Sequence, residues 1–229
     1  MPETRKTRPI SWLKSALKEF QDFPETARSI CMAALTMAAE GAKADIAKPL
    51  HGMGSGVFEI ALAFKGDAFR MVYALQLSDE IWVVHAFQKK STRGIKTPKH
   101  EIDLIDAVSK EGSSQEIEGD VGMKKENLDL VRGSGNVFRD LGHKNADAEQ
   151  FKAILAAEIV KVIDREDLTV RAAHRRTGIA AADFSRIRNA DLGRFTVDRL
   201  ISILNRLGAR VDVKIRVRPA GRLAHEATA

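Results

Sequence analysis

The feature that most constrains this chain is a single change of hydrophobic period along it. Between residues 57 and 87 apolar side chains recur at every second position. Phe58, Ile60, Leu62 and Phe64 come first, then Phe69, Met71, Tyr73 and Leu75, and then residues 81–87. Lys65-Gly66-Asp67 and Ser78-Asp79-Glu80 separate these runs. Strict alternation marks strands with one buried face, and three strands joined by short turns predict an antiparallel meander. From Gln150 the spacing becomes helical, with Phe151, Ile154, Leu155, Ile159, Val162 and Ile163 on one face. Strands first and helices afterwards predict an α+β fold in two parts.

Further elements can be read from local chemistry. Residues 8–13 read as a short edge strand, with Pro9 at its start where a missing N–H is tolerated. Pro24 suits the start of a helix over residues 24–40, with Ala27, Ile30, Cys31, Ala34 and Ala38 as its apolar stripe and Gly41 as its stop. Thr97-Pro98 predicts a helix running to about Lys110 through Ile102, Ile105 and Val108. Residues 111–120 are acidic, small and polar and read as linker. Residues 124–149 carry few apolar anchors and are expected to order only against something else. After Thr169 comes a short helix, then a turn at Gly178 and a helix holding Phe184 and Ile187. A further helix covers residues 196–207. Val211, Val213, Ile215 and Val217 then alternate with polar neighbours and predict one strand; lacking a partner in its own segment, it is expected to pair with a second copy across a two-fold axis. The division expected is residues 1–110, a linking and covering segment 111–149, a helical domain 150–219, and a tail 220–229.

Composition narrows the function classes. The 229 residues carry a formal net charge of +6. Residues 1–122 hold 16 Lys and Arg against 17 Asp and Glu, while residues 123–229 hold 21 against 14. The excess positive charge lies in the second part, which permits a polyanionic partner there. A lone cysteine, Cys31, excludes an internal disulfide and a thiolate-rich zinc site. No apolar run reaches the roughly 20 residues of a membrane span, and the basic N-terminus is not followed by a signal-like apolar stretch. A cytoplasmic protein with no membrane contact, no cofactor and no metal is expected.

The second part carries a helix, a glycine turn and a second helix. Ala172 and Ala173 are small where helices must cross, and Ile179 and Phe184 anchor the second helix. Residues 165–222 hold 14 basic side chains, 13 of them Arg, against six acidic ones. Arginine grips phosphates and guanine edges through a two-pronged donor. The recognition helix is expected at residues 181–189, presenting Asp183, Ser185, Arg186, Arg188 and Asn189 to DNA. Thr169 and Arg194 flank it as further DNA contacts. These residues resemble the Cro/repressor-like domain of HigA-type antitoxins. The resemblance runs through Gly133-Ser134-Gly135-Asn136, Leu168-Thr169, Thr177-Gly178-Ile179, Phe184-Ser185-Arg186 and Leu204-Asn205-Arg206-Leu207-Gly208. It departs at positions 170 and 181, often Gln in that family and here Val and Ala. The resemblance implies binding to operator DNA, autorepression and a homodimer formed through this half.

In the first part, residues 89–99 contain Lys89, Lys90, Arg93, Lys96 and Lys99 and no acidic residue. They come after a strand bearing His85 and Phe87, beside one bearing Arg70 and Tyr73. Cations for phosphate, an aromatic ring for base stacking and a titratable ring are the parts needed to hold and cut RNA. Arg70 would stabilise charge on a phosphate in the transition state. Lys89 and Lys90 would grip the backbone, with proton transfer open to one of them. Phe87 would stack on a base, Arg93, Lys96 and Lys99 would bind RNA, and His85 or Tyr73 would move a proton. By strict alternation His85 and Phe87 share parity with Ile81 and Val83, which leaves a core position open for both. The run Phe69-Arg70-Met71-Val72-Tyr73, Val84-His85-Ala86-Phe87-Gln88-Lys89-Lys90-Ser91 and Thr97-Pro98 resembles phage-derived HigB-like toxins of the RelE/ParE superfamily. That resemblance implies a metal-independent endoribonuclease acting on mRNA at the ribosome.

A HigB-like toxin followed by a HigA-like antitoxin on one chain implies an intramolecular toxin–antitoxin contact. The tether holds the pair at an effective concentration on the order of millimolar. Residues 111–149 are expected to lie over the basic surface at 89–99 and lower the toxin's activity. Two alternatives stand beside this: a DNA-binding repressor whose first half is an inactive interaction domain, and a toxin directed at gyrase rather than mRNA.

Overall fold

The computed structural model describes residues 7–50, 56–77, 80–89 and 130–214. The fold is α+β. Its first half is β1 (Ile10–Leu13), α1 (Lys14–Gln21), α2 (Glu25–Ala39), β2 (Ala47–Pro49), β3 (Val57–Phe64), β4 (Asp67–Leu77) and β5 (Glu80–Lys89). The second is β6 (Leu130–Val131), α3 (Val137–Asp140), α4 (Ala146–Arg165), α5 (Val170–Thr177), α6 (Ala181–Arg188) and α7 (Val197–Arg206). The helix expected over residues 97–110 and the linker at 111–120 lie outside the described residues.

The alternating runs form the expected meander. β3 pairs with β4 and β4 with β5, all antiparallel. A two-residue turn, Lys65 (φ 52°) and Gly66 (φ 90°), closes the first hairpin, because two positive φ values match the twist of the flanking strands. The sheet order is β2-β3-β4-β5-β1-β6. β1, expected from its sequence to be an edge strand, is therefore an interior one. It pairs parallel with β5 on one side and antiparallel with β6 on the other. The second half thus extends the sheet of the first and covers the row of unpaired backbone groups β1 would otherwise expose.

One face of the sheet is packed by α1 and α2. A chain of rings, Trp12–Phe20–Phe23–Phe69, ties α1 to β1 and β4 at centroid distances of 4.9, 5.3 and 4.7 Å. α2 buries every residue from Ile30 to Ala39. A helix apolar all round needs cover on both sides, and α2 has the sheet on one and α4 on the other. Thr36 Oγ1 lies 3.3 Å from Gln150 Oε1 across that contact, and Gln150 Nε2 donates to the Gly135 carbonyl at 3.1 Å. Residues 130–149 do order against something: β6 sits on β1, and Val137 and Phe138 of α3 are buried in the shared core. Their place is at β1 and α2. Residues 211–214 form no strand, and the rest of the alternating run expected there lies outside the described residues.

The strand addition rests on Gly133. A Cβ there would overlap the Ile10 carbonyl oxygen and stand 3.0 Å from its carbon, so backbone rather than a movable side chain is in the way. Gly133→Ala is expected to cost about 2 kcal/mol and lower Tm by roughly 4–8 °C. Thermal denaturation checks this; a Tm within about 1 °C of the parent would mean that β6 does not lie where described.

Candidate functional site

The sheet's other face carries Arg70, His85, Phe87 and Lys89, four of the five described residues singled out for RNA chemistry, and a bulge puts the three on β5 there. Val72 opposes His85 while Tyr73 opposes Val83, so Val84 is an extra residue on β5. Before the bulge Ile81 and Val83 point into the core. After it Ala86 takes the core face, and His85, Phe87 and Lys89 turn to the opposite one. Strict alternation misses this change of side. Arg70 opposes Phe87 and also Ala61 of β3, and Lys89 opposes Ala68. Alanine at 61 and 68 leaves room beside the Arg70 side chain.

The geometry of this face is polar and half-open. Arg70 Nε lies 3.7 Å from Glu59 Oε1, with the two side chains 23% and 28% exposed. Arg70 Nη1 also donates to the Phe69 carbonyl at 3.2 Å. The rings of His85 and Phe87 pack at 4.7 Å and 33°. Glu59, which the sequence offers as a structural partner of Arg70 rather than as a site residue, is thus the carboxylate that holds Arg70. Tyr73 is elsewhere. It is 1% exposed on the helix-packed face, stacked on Phe58 at 5.6 Å, so the sheet itself separates it from Arg70. Burial pushes its hydroxyl pKa up, with nearby Arg8 opposing. Lys90, Arg93, Lys96 and Lys99 lie outside the described residues. Cys31 is buried, and burial pushes its thiol up to about 12, which leaves it un-ionised and inert.

In the second half the expected turn is present. α5 is capped by Thr169, whose hydroxyl accepts from Ala172 N at 3.1 Å, so that hydroxyl serves the helix end. Gly178, at φ 72°, takes the left-handed conformation that lets α6 start at a sharp angle. Ala173, Ile179, Phe184 and Ile187 fill the space between the helices. On α6, Ser185 is exposed, and Asn189 Nδ2 donates to its carbonyl at 2.8 Å. Asp183 binds Arg186 at 3.4 Å and Arg199 of α7 at 3.3 Å, so it fixes two arginines rather than standing free. Arg194 is exposed beside Thr196 and Arg199 in one surface recess. Arg171 and Arg175 are exposed one turn apart on α5. Sequence reading passed over them, although burial of Ala173 and Thr177 puts them on the outer side.

Arg188 points to the first half. It binds Asp45 through Nε at 3.1 Å and Nη2 at 3.0 Å, and Asp164 through Nη1 at 2.7 Å. Asp45 N also donates to the Arg188 carbonyl at 2.7 Å. Arg188→Ala is therefore expected to lower stability by about 1–3 kcal/mol and to leave the salt dependence of DNA binding unchanged. Arg194→Ala should instead reduce that slope by about one. Fluorescence anisotropy on operator DNA across a salt series distinguishes the two; a loss of slope with Arg188→Ala would return that residue to the DNA face.

Residues 18–110 match the family model described as phage derived protein Gp49-like, and residues 137–216 match that of a helix-turn-helix domain. The chain joins a Gp49-like domain to a helix-turn-helix domain. That pairing supports a toxin–antitoxin or repressor module in which the helix-turn-helix half binds DNA. Searches of the curated proteins and of the solved structures gave no match. Among the described residues no helix is long and apolar enough to cross a membrane.

Proposed function

We propose that the chain is a fused HigB–HigA-type unit. Its Gp49-like half cleaves mRNA on the ribosome without a metal, and its helix-turn-helix half binds operator DNA, represses its own transcription and restrains the nuclease. The observation that carries this reading is the face shared by Glu59, Arg70, His85, Phe87 and Lys89. It offers a guanidinium for the phosphate in flight, a ring for stacking, an imidazole for proton transfer and an ammonium for the backbone. Described contacts of the second half fall on β1, α2, the start of β5 and the loop at Asp45, away from Arg70. Restraint then acts by rigidly fixed bulk that hinders approach to the ribosome. Residues 211–214, which pair with no strand among the described residues and expose Val213, are the surface assigned to homodimer contact.

The test is mRNA cleavage in a purified translation system by the full chain and by Asp45→Arg, which sets two arginines against each other at the seam. Cuts that need ribosomes, rise with Asp45→Arg and vanish when Arg70→Ala is added are expected. No ribosome-dependent cutting by either protein overturns the nuclease. A repressor with a silent first half then stands, a reading the hold of Glu59 on Arg70 favours.

A further inference from the structure

An open cleft of about 380 Å³ runs along the seam between the halves, on the helix-packed side of the sheet. Arg8, Lys43, Phe58 and Tyr73 line it from the Gp49-like half, and Lys161 and Asp164 from α4. Its two walls differ in chemistry. One is the stacked pair Phe58–Tyr73, with planes 20° apart and the Phe58 ring half-buried. The other is cationic. Arg8 donates to the Ala38 carbonyl at 2.8 Å and to that of Ala39 at 3.3 Å, which caps the end of α2. A guanidinium has about five N–H groups, so part of its donor edge is left over. Lys43 is exposed and holds no ion pair among the described residues. Lys161 gives one donor to Glu158 at 2.8 Å and has others. Asp164, the acid in the lining, is drawn to Arg188 at 2.7 Å.

Capping of α2 explains Arg8, yet it does not explain why lysines from both halves line the same cleft as an aromatic wall. We infer that the seam cleft binds a nucleoside monophosphate, its base against Phe58 and its phosphate between Arg8, Lys43 and Lys161. Cations lining one recess favour a phosphate dianion, and a ring face accepts any base. An occupant touched by both halves stabilises their association by mass action. The site is separate from the Arg70 face and does not depend on nuclease activity.

Calorimetric titration of the full chain with AMP, adenosine and inorganic phosphate tests this. AMP should bind saturably with a sub-millimolar Kd and raise Tm by about 5 °C at saturation, while adenosine and phosphate bind at least about tenfold more weakly. Lys43→Ala, Lys161→Ala and Phe58→Leu should each weaken AMP about tenfold. The lysine variants, both at solvent-accessible positions, should keep the unliganded Tm. Lys161 is decisive because it belongs to the second half. No saturation up to about 10 mM AMP, indifference to both lysine substitutions, or phosphate binding as tightly as AMP would each overturn the assignment.

Discussion

Residues 1–122 expressed alone are expected to lose the packing that residues 7–50, 56–77 and 80–89 have in the full chain. α2 is buried on two sides, and α4 and α3 supply the second. Removing residues 130–214 uncovers the outer side of α2, where Ile30 and Ala33 meet the α4 side and Met32 faces the segment at Leu141 and His143. Each large apolar side chain returned to water costs about 1.5–3 kcal/mol. The β1 edge opens as well, and Asp45 loses Arg188. Against a net stability of about 5–15 kcal/mol for a whole domain, several such losses together are enough. The isolated half should keep far-UV circular dichroism, lose its near-UV signal and bind ANS. Adding residues 130–214 in trans should restore the near-UV signal, and the full chain should unfold in one transition. Cooperative unfolding of residues 1–122 within about 5 °C of the full-chain Tm would refute this and make the second half a detachable inhibitor.

That expectation differs from the picture of two independent domains on a tether, and the difference shows what local sequence can carry. The meander was legible because each strand repeats its period at least three times, and α2 because its cap and stop are local. The bulge at Val84 was not, since 81, 83, 85 and 87 go on alternating whatever their pairing. Only the partner strand reveals the extra residue. β6 is two residues long, too short for any period to register. Arg188 meets Asp45 across 143 positions, and nothing beside either residue announces the other. One sign of the seam was present in the sequence itself. From Ile30 to Ala39 there is no charged side chain, so the helix has no solvent face of its own. Of the RNA-cleaving candidates, Tyr73 could be set apart from Arg70 by alternation along β4 alone, whereas the side on which His85 and Phe87 lie depended on the bulge.

The same placement separates the roles of those candidates in a way kinetics can read. Arg70→Ala should lower ribosome-dependent cleavage about 10²–10³-fold, the usual cost of removing one donor from a transition-state oxyanion. Arg70→Lys should recover only part of it, because a point charge lacks the paired donors that match a phosphate. Glu59→Gln should stay within about tenfold of the parent, since at 3.7 Å Glu59 positions Arg70 rather than reacting. Tyr73→Phe should leave the rate unchanged, because the sheet stands between its hydroxyl and Arg70. Arg70 is a quarter exposed, so its loss should shift Tm by no more than a few degrees and the fall in rate then reports chemistry. Single-turnover cleavage of one mRNA on programmed ribosomes, with each variant checked by thermal denaturation, decides among these. A folded Tyr73→Phe protein that no longer cuts would move the proton-transfer step to the other face of the sheet, and a folded Arg70→Ala protein that still cuts would remove the reason for placing the reaction on this face at all.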